Sequence, residues 1–148
     1  MSLERVLEEL SDESKPIRYS GLMALSDLSR QSVEQFLKAW GAMSVKRRHK
    51  LLGQLVDLAE ENVEVDFRAI FISLMKDDDE EVREQAITGL WECEDRSLIS
   101  ALLEAACCDP SEKVRAAAAI ALGKFTLMAD ESKLSLADGE RIRETLLG

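Results

Sequence analysis

Few residues in this chain could do chemistry, and their spacing limits what that chemistry could be. His49 is the only histidine, so a histidine-rich metal site is excluded by count. Cys93 and the adjacent Cys107 and Cys108 could in principle hold a soft metal. They lack a fourth Cys or His at ligand spacing, and the pair falls at a helix end, so buried or half-buried thiols are expected there. The acidic run Asp77–Glu81 lacks the central Gly and the closing Glu of a calcium-binding loop. It reads instead as a solvated turn whose charge suits a helix N-terminus. The seven glycines are scattered, so no loop is built to cradle phosphate. No catalytic residue, metal or cofactor is assigned.

Two clusters remain. Lys46, Arg47, Arg48, His49 and Lys50 crowd the first turns of a predicted helix, where the dipole disfavours each cation by ~0.3–1 kcal/mol. At ~100° per residue they fan around the helix and form no single stripe for a nucleic acid. A solvated, ladder-forming edge balanced by the surrounding acids is the reading, against a contact with an acidic partner or with another part of a longer protein. Trp91 ends a predicted helix where the equivalent positions are Gly123 and Ser26. It either packs over the turn or serves as an interface anchor.

The elements that position these residues repeat. DDDEEVREQAITGLW at Asp77–Trp91 aligns without a gap on DPSEKVRAAAAIALG at Asp109–Gly123. Ser14, Ser44, Asp79 and Ser111 recur roughly thirty to thirty-five residues apart, each three residues before Ile17, Arg47, Val82 and Val114. Ser2 caps a helix over residues 3–10 with Leu3, Val6, Leu7 and Leu10 on one face. Ser14 is expected to cap a helix over about Lys15–Leu28 with Pro16 in its first turn. A second helix follows with Val33, Phe36, Leu37 and Trp40 inward. Further pairs are predicted over Val45–Glu60 with Asp66–Met75, over Glu80–Cys93 with a helix capped by Asp95, and over Glu112–Met128 with a last helix from Ser135 to Leu147. No stretch shows sustained period-two alternation, so no sheet is expected.

The chain has 148 residues, 46% apolar and 32% charged, with a net charge of −10. That composition fits one folded domain with a shared core and counts against nucleic acid or anionic membrane as partner. No apolar run reaches the ~18 residues a membrane span needs. Three cysteines make a poor disulfide framework, which favours the reducing cytoplasm.

The repeated residues carry a resemblance. The pattern of Asp, a small cap, Val-Arg and a later Leu appears as Asp12/Ser14/Ile17-Arg18/Leu25, Asp77/Asp79/Val82-Arg83/Leu90 and Asp109/Ser111/Val114-Arg115/Leu122. It resembles HEAT repeats, in particular the short bacterial kind related to the HEAT-like repeats of phycobilin lyases. The second repeat departs from it, with Ala42 for Asp and Arg47 for the aliphatic residue. The resemblance implies an all-α, right-handed α-solenoid of about four helix pairs behind an N-terminal capping helix. Repeats would cover about 12–42, 43–76, 77–108 and 109–148. It also implies a structural ladder between an Asp column (Asp12, Asp77, Asp109) and an Arg column (Arg18, Arg48, Arg83, Arg115), and no enzymatic activity.

In such a fold the concave face is made by the second helices, and it holds a protein or peptide. Side chains opposite the buried stripe would line it: Gln35 and Lys38, then Arg68, Ile72 and Met75, then Ser97, Ser100, Ala101 and Glu104, with Trp91 at the edge. A tetrapyrrole-handling, lyase-like activity and a nucleic-acid-binding role are the alternatives the resemblance offers, and composition disfavours both. The chain also resembles the N-terminal part of longer repeat proteins. Phe125, Leu146 and Leu147 are therefore expected to offer an open C-terminal face to a second copy or to further repeats.

Overall fold

A computed structural model of the chain describes residues 2–90 and 96–130, with residues 125–130 by their backbone alone. Trp91, Cys93, Asp95, the predicted helix from Ser135 to Leu147 and the side chain of Phe125 lie outside the described residues. Among the described residues every regular element is a helix. In order they are α1 (Leu3–Ser11), α2 (Tyr19–Met23), α3 (Arg30–Ala42), α4 (Val45–Glu61), α5 (Arg68–Leu74), α6 (Glu80–Gly89), α7 (Leu98–Cys108) and α8 (Glu112–Asp130). They stack in two layers, as an α-solenoid does. First helices α4, α6 and α8 succeed one another in one layer, and α1, α3 and α5 in the other. The N-terminal helix thus stands where a second helix of a preceding repeat would stand.

Three of the predicted caps form as the sequence places them. Ser2 accepts from the Arg5 backbone N–H, Ser44 from that of Arg47 and Asp79 from that of Glu81. Each satisfies a helix N–H that otherwise has no partner. Behind them a continuous core runs from Val6 and Leu10 through Phe36, Leu51, Leu55, Ile70 and Phe71 to Val82, Leu102 and Leu122. Ala86 and Ala118 are fully buried between α6 and its neighbours. Their small side chains let the helices approach at the short end of the ~8–10 Å range.

The first repeat departs from expectation. The helix predicted over Lys15–Leu28 shrinks to Tyr19–Met23, and its N-cap, Arg18, makes no side-chain capping bond. Ser14 cannot cap because its backbone N–H and its hydroxyl both donate to the Asp12 carboxylate. The Lys15 N–H bonds to the Asp12 carbonyl at 3.0 Å, which closes a turn. Pro16 then biases Lys15 away from helical backbone. Downstream, Asp27 adopts φ 55°, and its N–H reaches the Asp66 carbonyl at 2.7 Å. The Asp66 N–H in turn donates to the Ser26 hydroxyl. The segment gives up helix and gains a direct backbone link to the next repeat.

Candidate functional site

The predicted binding residues other than Trp91 fall on the second-helix face, and the structure sorts them into groups. Ile72 and Met75 of α5 meet Ala101 and Glu104 of α7 across a groove of about 440 Å³. Ala105, Cys108 and Pro110 complete its lining, and Lys76, Asp77, Arg83 and Asp109 lie at its charged margin. Gln35 and Lys38 line a separate groove between α1 and α3. Arg68 is drawn out of either one, because its guanidinium and its backbone N–H both bond the Asp66 carboxylate of its own turn. Ser97 and Ser100 are exposed at the start of α7 but line neither groove. Trp91 lies outside the described residues.

The groove takes its form from helical spacing. On α5, Ile70, Phe71 and Leu74 turn into the core, which leaves Ile72 and Met75 half-buried on the other side. On α7 the stripe Leu98, Ile99 and Leu102 turns inward, and Ala101, Glu104 and Cys108 come up on the groove side. This corrects the expectation for the thiols. Cys107 and Cys108 are both exposed, because the last turn of α7 runs past the core stripe. Cys107 beside it, together with burial and the charge of Glu104, pushes the Cys108 thiol pKa up. A thiol so held stays protonated and is a weak nucleophile.

One end of the groove is closed by a buried fork. Arg83 Nε donates to Asp109 Oδ2 at 2.9 Å and Nη2 to Asp109 Oδ1 at 3.1 Å. Its Nη1 reaches the carbonyls of Asp77 and Asp78. One arginine therefore ties the turn before its own helix to the turn before the next. Such bidentate, charge-assisted bonds fix geometry as well as energy. Burial alone would raise the Asp109 pKa. The Arg83 guanidinium and the Ser111 N–H outweigh it and hold the carboxyl below its ordinary value. Arg115 repeats part of the pattern, with Nη1 donating to the Asp109 carbonyl at 2.7 Å.

The other members of the two columns take different partners. Arg48 caps the carbonyls of Trp40 and Gly41 and stacks over the Trp40 ring at 5.9 Å. Asp77 instead accepts the Trp40 indole N–H at 3.0 Å and the Asp79 N–H. Arg18 joins no carboxylate of the Asp column. Ala42 stands where that carboxylate would be, and Arg18 pairs with Glu9 at 3.2 Å. Asp12 binds its own Ser14.

The basic cluster also resolves residue by residue, and it keeps the ladder-forming, acid-balanced character expected of it while one member leaves the solvent. Arg47 is buried, with 4% exposure. Its Nε donates to the Leu10 carbonyl at the end of α1, while Nη2 finds no partner. His49 lies between two carboxylates of the next repeat. Asp79 Oδ2 is 2.6 Å from Nε2 and Glu81 Oε2 is 3.0 Å from Nδ1. The two contacts are on opposite sides of the ring, so these groups cannot converge on one ion. Burial raises the Asp79 pKa, but the His49 ring and the backbone N–H groups of Glu81 and Val82 together bring it below the ordinary value. Only Lys46 and Lys50 remain fully at the surface.

Among the described residues no helix is long and apolar enough to cross a membrane, and no group of three His, Cys, Asp or Glu side chains converges to hold a metal ion. Residues 68–138 match the family model for HEAT repeats. No curated protein matches the chain.

Proposed function

Because the chain belongs to the HEAT-repeat family, whose repeats generally serve as protein-interaction scaffolds, we propose that it is a non-enzymatic scaffold that binds a peptide or helix on its second-helix face. The observation that carries this reading is the α5–α7 groove. Two successive repeats contribute Ile72 and Met75 from one side and Ala101, Ala105 and Glu104 from the other. Small residues let a bound backbone come close. Ile72 and Met75 offer apolar surface worth ~25 cal/mol per Å² covered, and Glu104 supplies a polar contact to fix orientation. The high thiol pKa of Cys108 suits packing better than covalent chemistry. The reading covers the whole chain as one repeat domain and gives it a cytoplasmic place, in keeping with its three cysteines.

Affinity capture with the full chain and with Ile72→Glu or Ala101→Arg variants tests it. The expected result is a protein recovered by the wild type and lost from both variants, with helical circular dichroism unchanged. Recovery that ignores both substitutions would end the assignment of this groove.

A further inference from the structure

The groove between α1 and α3 has a chemistry of its own. Its volume is about 780 Å³, and its α1 wall is Glu4, Leu7, Glu8, Ser11 and Asp12. Glu4 and Glu8 on α1 and Asp12, the C-cap that follows it, are four residues apart, so the three carboxylates line one side of the groove. At 1.5 Å of rise per residue the row is about 12 Å long, with a carboxylate about every 6 Å. Glu4 and Glu8 are exposed, and neither has an ionic partner among the described residues. Asp12 is held ionised by its bonds from Ser14 and faces the Lys15 ammonium at 4.0 Å. The facing α3 wall carries one cation, Lys38, and otherwise Gln35, Ala39 and Ala42. Ala42 is also where the repeat pattern would place an acid, and Gly41 beside it has open space where a Cβ would be.

We infer that this groove receives a helix of a partner protein, one that carries Lys or Arg four residues apart along one edge and small side chains beside it. A row of carboxylates about 6 Å apart matches the i, i+4 spacing of cations on a second helix. The alanine wall lets that helix approach closely. An extended chain advances about 3.3 Å per residue and would bring alternate side chains to the row without using the depth over Ala39 and Ala42. Charge complementarity of this kind sets partner choice and association rate more than raw affinity. The inference rests on the second-helix face being a docking surface, but it names a different groove from the one that carries that reading.

The test uses the full chain and a fluorescently labelled, alanine-rich helical peptide about 18 residues long, enough to hold some helix in water. The peptide carries Lys at i, i+4 and i+8, and a scrambled isomer has the same charge. The expected result is saturable binding of the first peptide that weakens with salt, and weaker binding of the isomer. Glu4→Lys/Glu8→Lys should weaken it on the order of tenfold or more. Ala42→Arg, at an exposed position that leaves α1 untouched, should do the same. Glu60→Lys/Glu61→Lys changes the net charge equally on exposed α4 residues and should shift it by no more than about twofold. Ile72→Glu should leave it alone, which separates this proposal from the reading of the α5–α7 groove.

Equal losses from the two double reversals would reduce the effect to bulk charge and overturn the proposal, as would equal binding of the isomer. Self-association of the chain that disappears in Lys46→Glu/Lys50→Glu would assign the groove to a second copy and overturn it as well.

Discussion

The joint between the third and fourth repeats and the joint between the second and third are built from the same columns of residues by different means. At the third–fourth joint Arg83 forks onto Asp109 with both side chains about nine-tenths buried. At the second–third joint the equivalent Arg48 leaves Asp77 to the Trp40 indole and turns to backbone carbonyls. His49 then supplies the cross-repeat contact through Asp79 and Glu81. The difference shows that a solenoid joint needs its buried polar groups satisfied and does not need one fixed pair of residues to satisfy them. The family match begins at residue 68, with the helix that precedes the regular joint. The departures Ala42 and Arg47 come before it.

The largest effect should come from cutting the regular joint. Asp109→Ala leaves the Arg83 charge buried and unpaired, and should cost roughly 3 kcal/mol in urea unfolding. A loss no larger than that from Asp12→Ala, a half-buried turn residue, would mean the fork contributes no more than a local turn contact.

Acid should dismantle both joints. Asp79 and Asp109 have folded pKa values below their ordinary value of 3.8. Their contribution is therefore fully present above that value and is lost as pH falls through the lower folded values. A pH series of melting temperatures should fall in that acid window, and Asp109→Asn should flatten the fall. An unchanged slope in the variant would remove Asp109 from the account.

Glycines sharpen the comparison at the level of packing. A Cβ on Gly89 of α6 would sit 2.7 Å from the Phe71 ring, whereas one on Gly53 of α4 would meet only the Gln85 side chain at 3.9 Å. Gly89→Ala should cost about 1–3 kcal/mol through overpacking. Gly53→Ala should gain up to about 1 kcal/mol from helix propensity. Equal effects at the two positions would contradict the tight approach of α6 to α5.

The smallest effect is expected at Arg47. Its Nη2 is unsatisfied, and its counterparts in the other repeats are Ile17, Val82 and Val114. Arg47→Met exchanges a desolvated charge for an apolar chain at the loss of one bond to Leu10. The unfolding free energy should move by no more than about 1 kcal/mol. A loss as large as that of Asp109→Ala would make Arg47 the anchor of α1.

The sequence by itself determined the second and third helix pairs, the caps Ser2, Ser44 and Asp79, and the core stripes. These follow from local spacing: Ser44 and Asp79 bond the helices they precede, and Leu51, Leu55, Ile70 and Leu74 recur at helical period on their own segments. It also placed Ile72, Met75, Ala101 and Glu104 on the second-helix face, since the side opposite a buried stripe is set by the same period. Only the tertiary structure decided which of them meet. Whether two exposed residues on different helices share a groove depends on how the helices stack. The same holds for Arg47, whose burial could not be read from a charged residue beside four other basic side chains, although its place in an aliphatic column was a signal. The first repeat shows the limit from the other side. Ser14 has a cap's position in every pattern, but Asp12 two residues away competes for its N–H and hydroxyl. A neighbour's hydrogen bond, a turn before Pro16 and a backbone link to Asp66 outweigh propensity there, and that link joins residues some forty positions apart.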